Sequence, residues 1–318
     1  MIIDWHTHVY PPEDAARPFW RGRCPMTIAN ALELQEQAGI DMSVLSNTMS
    51  ISRSAAETRQ DRAALQAQTL ATVTRANRYL AEMQHRHSGK VVAFASCVPC
   101  GGDGFLKELE RAVVQDGMKG VFITSSHDGH YPDDDEALPF FDLVTRLDIP
   151  VMLHPPAAAF GEERMRDYRL LSSVGRPGDS CLAIARLIVR GIFERFPTLK
   201  LVGTHLGGGI CEVIGRMDYA YNLIEESFFL GPYEPMLIKH PPSHYLKMMY
   251  LDTVSYHAPA ARCAIETVGA DHVLFGTDAP PLNPLKQQGL DVVRKLDLPP
   301  ADRDKVLGGN ARKLLKLK

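Results

Sequence analysis

The sequence predicts a (β/α)8 TIM barrel, and three observations carry that expectation. Eight short, apolar, β-branched runs recur along the 318 residues. Helix-length amphipathic stretches separate them, and a histidine or an aspartate stands at or just beyond the end of four of the runs. Strand followed by helix, repeated around eight strands, is the pattern of a parallel sheet closed on itself. An open doubly wound sheet shows the same alternation, but its first loop would carry a glycine-rich phosphate fingerprint, and this one does not.

Taken in order, the expected strands are Ile2–His6, Met42–Ser46, Val91–Ser96, Gly120–Ile123, Pro150–Leu153, Lys200–Gly203, Met248–Leu251 and His272–Phe275. Each has strand length and is followed by a break or a loop. The expected helices between them are Ile28–Ala38, Ala63–His85, Phe105–Asp116, Leu138–Leu147, Leu182–Phe196, Glu212–Glu226 and Ala258–Val268. Gly39 and Gly269 follow two of these helices and Pro197 closes another. The loops after strands 1 and 5, residues 9–27 and 155–180, are longer, as is the stretch 227–246 before strand 7. Because the first two leave strand C-termini, they suggest a lid or insertion at an active site. No internal repeat and no linker parts the chain, so residues 1–318 are expected to form a single domain.

Composition narrows the function. Hydrophobic residues make up 45% and charged residues 23%, the balance of a soluble globular protein with a sizeable core. A net charge of -3 supplies no basic field for phosphate backbones, so nucleic acid is not an expected partner. No apolar run is long enough to span a membrane, and Met1–His6 shows no basic region followed by an apolar core, so a cytoplasmic location is expected. The six cysteines are scattered apart from Cys97 and Cys100, which lack the second pair that would complete a zinc site.

In a barrel the chemistry sits at the C-terminal ends of the strands. Strand 1 ends in Asp4-Trp5-His6-Thr7-His8, strand 5 in His154-Pro155, strand 6 in Thr204-His205 and strand 8 in Gly276-Thr277-Asp278. Residues two apart on a strand point to one side, so His6 and His8 can share a cation. His154 would add a third nitrogen and Asp278 an oxygen, a donor set that suits zinc, manganese, iron or cobalt with a position left for water. Any one of these residues alone is better explained as a satisfied polar side chain or a cap. The four together, at the same ends of different strands, point to one divalent metal ion per chain.

At this point the residues resemble a known family. The chain is similar to the amidohydrolase superfamily, in the amidohydrolase-2 branch that contains aminocarboxymuconate semialdehyde decarboxylase. The carrying stretches are Asp4-Trp5-His6-Thr7-His8, Pro150–Pro155, Phe193–Pro197, Thr204–Gly209 with Gly215–Asp218, Gly269–Asp278 and Gly309–Ala311, in one order and nearly end to end. The resemblance implies a mononuclear site with His6, His8, His154 and Asp278 as ligands, zinc or manganese as the metal, and His205 as catalytic acid/base. It implies no bridging lysine, and strand 4 indeed ends in Ile123-Thr124-Ser125. A homodimer is common in that branch. Two departures limit the carry-over to the scaffold. His154-Pro155 is followed by Pro156–Ala159 with no Trp-Asp, and the helix after Gly215–Asp218 reads Tyr219–Leu223 with no arginine.

The expected function is a metal-dependent decarboxylase acting on a small unsaturated or aromatic carboxylic acid, with metal-activated water, His205 as acid/base and Asp278 beside it. The same residues would serve a hydrolase of an ester, lactone, amide or carbon–carbon bond, and a catalytically silent binding barrel is a third reading. Candidate substrate contacts are His257, Arg21, Arg23, Arg53, His127, Tyr168 and Arg176, the arginines because their planar fork grips a carboxylate.

Overall fold

The structure is a computed structural model describing residues 1–16, 25–48, 51, 62–157, 159–223, 236–280 and 285–317. Among these residues eight strands alternate with eight principal helices. In chain order these are β1 (Ile3–His8), α1 (Ile28–Gln37), β2 (Met42–Ser46), α2 (Arg62–Arg86), β3 (Val91–Ser96), α3 (Asp103–Val114), β4 (Gly120–Thr124), α4 (Leu138–Arg146), β5 (Val151–His154), α5 (Arg176–Val189), β6 (Leu201–Gly203), α6 (Ile210–Asn222), β7 (Tyr250–Asp252), α7 (Ala258–Val268), β8 (Val273–Leu274) and α8 (Leu285–Arg294). Two short helices follow, α9 (Pro300–Asp304) and α10 (Asn310–Leu314).

Every strand pairs in parallel with the next, in the order β1 through β8. The sheet then closes: Trp5 N donates to Phe275 O at 2.8 Å, Asp278 N to His6 O at 2.9 Å, and His8 N to Ala279 O at 2.7 Å. This is the (β/α)8 barrel that the strand and helix count predicts. Helices cover the outside of the sheet while side chains fill the inside, which is why β3, β4 and β5 are buried along their whole length and read as continuous apolar runs. Trp5 and Phe94, both fully buried, meet edge to face at 5.2 Å between ring centroids.

The helices begin and end for local reasons. Thr27 caps α1 by accepting from Asn30 N at 3.3 Å. The single helix expected over Leu182–Phe196 is two pieces, α5 and a turn at Ile192–Arg195. Gly191 lies between them at φ 73°, a left-handed residue that ends α5. β7 starts at Tyr250, two residues later than expected, because Pro242–Leu246 is helical and leads into it. Parts of the long stretches 9–27 and 227–246 lie outside the described residues. No described helix is long and apolar enough to cross a membrane.

Candidate metal centre

The C-terminal ends of β1, β5 and β8 bring His6, His8, His154 and Asp278 together, with one donor atom from each within 4.8 Å of all the others. Register explains much of the geometry. His8 is the sheet partner of Ser46 on β2, so the two side chains stand side by side, and His8 Nδ1 meets Ser46 Oγ at 2.9 Å. Ser46 Oγ in turn donates to Thr7 O at 3.3 Å, so the hydroxyl accepts from His8. His6 Nδ1 donates to Asp252 Oδ2 at 2.7 Å, and His154 Nδ1 to Pro155 O at 2.8 Å. All three Nδ1 protons are thus engaged outward, and each Nε2 is left as a lone-pair donor.

Those lone pairs converge. His6 Nε2 and His8 Nε2 are 3.1 Å apart, His8 Nε2 is 3.0 Å from Asp278 Oδ1, and His6 Nε2 is 3.4 Å from the same oxygen. Acceptors this close repel one another unless a cation lies among them. Ligands at roughly 2.1 Å from one ion are themselves spaced by about 3 Å. The donor set therefore fits a single first-row divalent metal. Electrostatics agree at His8 and His154, whereas at His6 burial is outweighed by the bond to Asp252 and the charges of Asp252 and Asp278, which raise it. Burial lowers His8 to about 4, with the nearby His6 and His205 adding to the effect. Burial, and then the neighbouring His8, His6 and His205, hold His154 well below the usual imidazole range. Both are therefore neutral donors at pH 7, as a metal requires. Burial alone would raise Asp278, yet the imidazoles of His205, His8 and His6 packed around it hold it well below the usual carboxylate range.

The site is dry at its base and open on one side. His6, His8 and His154 are at most 3% exposed, whereas the Asp278 side chain is 24% and the His205 side chain 18% exposed. Among these five residues, Asp278 and His205 are the ones that solvent reaches. His205 follows β6 in a left-handed turn, with φ of 54° at His205 and 53° at Leu206, followed by positive φ at Gly207, Gly208 and Gly209. For the two non-glycine residues this conformation costs roughly 1–3 kcal/mol each. The turn is held by His205 N donating to Asp252 Oδ1 at 2.7 Å and Gly207 N to Thr204 O at 2.9 Å. It presents His205 Nε2 to Asp278 Oδ2 at 3.4 Å, while Nδ1 meets Thr204 Oγ1 at 3.0 Å. Asp278 is itself left-handed, at φ 58°.

Of the expected substrate contacts, Arg21, Arg23 and Arg53 lie outside the described residues. His257 is exposed at the start of α7, and Tyr168 is 93% exposed on the loop after β5. His127 sits in a tight turn after β4, exchanging both backbone bonds with His130 at 2.9 Å. Arg176 opens α5 and donates from Nε to Pro156 O at 3.0 Å, just beyond His154. Cys97 and Cys100 form no disulfide among the described residues.

Sequence reasoning missed Asp252, which no expected strand included. Its signal was of the same kind as the others, an aspartate closing strand 7 in Tyr250-Leu251-Asp252. Wholly buried, it accepts from the ligand His6 with one oxygen and from the backbone of His205 with the other. The glycine at 276 makes room for this pair, since a side chain there would press on His6 Cβ at 3.1 Å and Asp252 Cβ at 3.3 Å.

A closed parallel barrel with one cluster of metal donors across its strand ends defines a class of metal-site barrels. The comparison with known proteins gives the family. The amidohydrolase model matches residues 3–317, and the chain belongs to that family. It is 28% identical over 243 residues to the 2-amino-3-carboxymuconate-6-semialdehyde decarboxylase of Dictyostelium discoideum, an alignment spanning 76% of this chain and 65% of that protein. It is 28% identical over 297 residues to the gamma-resorcylate decarboxylase of Polaromonas sp., covering 90% of this chain and 86% of the relative. Among solved structures, a dihydroxybenzoic acid decarboxylase from Polaromonas sp. JS666, with bound manganese and the inhibitor 2-nitroresorcinol, superposes with a TM-score of 0.82. It is 23% identical and covers 99% of this chain and 97% of that one.

Proposed function

We propose that this chain is a metal-dependent decarboxylase of a small aromatic or unsaturated carboxylic acid. The observation that carries the reading is the pairing of a complete donor set, His6, His8, His154 and Asp278, with a partly exposed His205 facing Asp278. Decarboxylases among its relatives supply the reaction class. A metal bound by the four donors would polarise a substrate oxygen and stabilise negative charge that develops beside it. The residues do the rest. When His205 carries its second proton, on Nε2, Asp278 accepts it across 3.4 Å, a contact slack enough for the proton to be passed on. Delivered to the carbon that bears the carboxylate, that proton forms a C–H bond. The C–C bond then breaks, its electron pair returns to the unsaturated system, and CO2 leaves.

Three imidazoles and a carboxylate accept either zinc or manganese. We assign zinc, with manganese as the alternative that the Polaromonas structure favours. We further propose a single-domain, cytoplasmic homodimer. In support of one domain, α10 packs back on β1 and β8, tying the C-terminal end to the first strand.

The test is elemental analysis combined with a CO2-release screen over aromatic and unsaturated carboxylates. We expect about one metal per chain, since the cluster offers one set of ligands, and CO2 from at least one acid. The His6→Ala and Asp278→Ala variants should lose both while staying folded. Metal without CO2 would turn the reading to hydrolysis, and near-normal metal content in both variants would remove the site assignment.

A further inference from the structure

Two histidines far from the centre face each other on the surface. His240 and His244 are both exposed, and their rings lie 4.5 Å apart between centroids, tilted by 40°. They stand four apart across the start of the helical turn Pro242–Leu246, the spacing that sets two side chains on one face. Among the described residues neither imidazole takes part in a hydrogen bond or an ion pair, so their ring nitrogens are open to a ligand.

The backbone beneath the pair is fixed on both sides. Pro241 and Pro242 lie between the two histidines and restrict the chain there, Pro241 at φ -54°. Ahead of them, Leu237 N donates to Val189 O at 2.7 Å and Lys239 N to Glu194 Oε1 at 3.0 Å. The buried Tyr245 Oη accepts from Lys239 N at 3.2 Å and His240 N at 3.1 Å, and donates to Glu194. Its ring also meets His244 edge to face at 5.1 Å. Next to His244, Ser243 N donates to Asp218 Oδ1 at 2.8 Å. Two carboxylates therefore underlie the pair. The exposed Lys239, 3.9 Å from Glu194, offsets one of them, which leaves a field that favours a cation. Donors held this firmly lose little freedom when they close on an ion.

We propose that His240 and His244 form a second metal site, a two-histidine clamp for a first-row transition ion that prefers nitrogen, copper(II), nickel(II) or zinc(II), with water in the remaining positions. Two imidazoles bound to one ion at about 2.1 Å set their ring centres about 4.5–5.3 Å apart. The surface pair falls at the short end of that span, and the donor pairs of the centre, His6 with His8, His6 with His154 and His8 with His154, fall inside it at 4.9, 5.1 and 5.0 Å. Magnesium, which takes oxygen ligands, has no purchase here. The two sites are separate. α6 leaves the His205 turn and runs away from the centre, and the pair lies on the stretch that enters β7 at the strand end opposite Asp252. An ion there takes no part in the chemistry. It staples the entry of β7, and because it binds the folded chain it stabilises that chain by mass action. Two protein donors hold an ion more weakly than the four of the centre, so the second ion is taken up only when free metal is supplied.

The experiment is calorimetric titration of nickel(II) into the untagged full chain, loaded with zinc and freed of excess, as wild type, His240→Gln and His244→Gln. Zinc release and thermal transition are measured on the same samples. The wild type should take up about one nickel ion per chain while its zinc stays bound, and its Tm should rise with added nickel. Copper(II) should bind more tightly than nickel(II), and magnesium should give no binding heat. Each variant should keep the wild-type Tm in the absence of nickel, bind nickel at least about 10-fold more weakly, and lose the rise in Tm. Even an outer partner of a ligating histidine is worth that factor. No nickel uptake by the wild type, uptake matched by zinc release, or uptake that persists in both variants would overturn the site. None of these readouts depends on turnover, so the result stands apart from the decarboxylase reading.

Discussion

His6 Nδ1 and Asp252 Oδ2 lie 2.7 Å apart with neither side chain exposed to solvent, and the other oxygen of Asp252 accepts from the backbone N–H of His205 at 2.7 Å and of Val254 at 3.1 Å. One carboxylate therefore fixes the tautomer of a proposed metal donor and the position of the proposed acid/base. Asparagine has a single acceptor oxygen, so Asp252→Asn leaves either His6 or the His205 turn unhooked. Metal affinity should fall about 10- to 100-fold, as for other partners of ligating histidines. kcat at saturating metal should fall as well. Chelator competition measures the first and turnover in excess metal the second. An unchanged metal affinity would show that Asp252 does not orient His6.

His205 stands beside the donor cluster, which does not include it, and among the described residues its Nε2 meets Asp278 Oδ2 at 3.4 Å. His205→Ala should keep the metal and lose about 10²- to 10⁴-fold in rate, the usual worth of a positioned acid or base. Metal analysis and kcat on the same preparation check it. Loss of the metal would make His205 a ligand instead.

The left-handed turn that carries His205 presses against the first turn of α5. A side chain at Gly208, where φ is 68°, would meet Pro177 O at 1.9 Å and Cys181 N at 2.9 Å. Both atoms are backbone, so neither can swing aside. Gly208→Ala should cost about 1–2 kcal/mol from the conformation alone, with the backbone clash adding to it, seen as a lower urea midpoint at constant slope, and activity should fall with it. Gly215 is the control: it lies inside α6 with nothing within 4 Å of its Cβ direction, so Gly215→Ala should gain about 0.5–1 kcal/mol. Equal responses at the two positions would mean that the His205 turn yields to strain.

The barrel was legible because its strands are buried on both faces, which leaves apolar runs that stand out from the amphipathic helices. The donor histidines were legible because charged and imidazole groups at strand ends have no structural reason to recur at the same level of a barrel. What escaped depends on contacts between distant segments. Asp252 sits one residue past the expected end of strand 7, and its meaning appears only when β7 and β1 bring it to His6, 246 residues away in sequence. Gly191 breaks a helix whose apolar spacing continues on both sides of it. Lys286 reads as one more solvated lysine on a helix, because nothing local says that a carboxylate waits beneath it.

That carboxylate is Asp4. Lys286 Nζ lies 2.6 Å from Asp4 Oδ2, with side-chain exposures of 2% and 0%. Asp4 also accepts from His6 N, Thr7 Oγ1, Thr277 N and Thr277 Oγ1 at 2.6–3.1 Å. The cluster fastens β1 to the segment after β8, two residues before His6 and one before Asp278. Lys286→Met strands a buried charge, for which about 3–5 kcal/mol is the usual loss, and the metal should leave faster to a chelator because the seam between its ligands is loosened. An isolated buried pair can be replaced on both sides at little cost. Here it cannot, since Asp4 answers four other donors that a hydrocarbon would leave unmatched. The double variant Asp4→Leu with Lys286→Met should therefore be no more stable than Lys286→Met alone in urea denaturation. Recovery to wild-type stability would mean that Asp4 serves only to neutralise Lys286, and that the closure of the barrel rests on the backbone bonds of Trp5, His8 and Asp278.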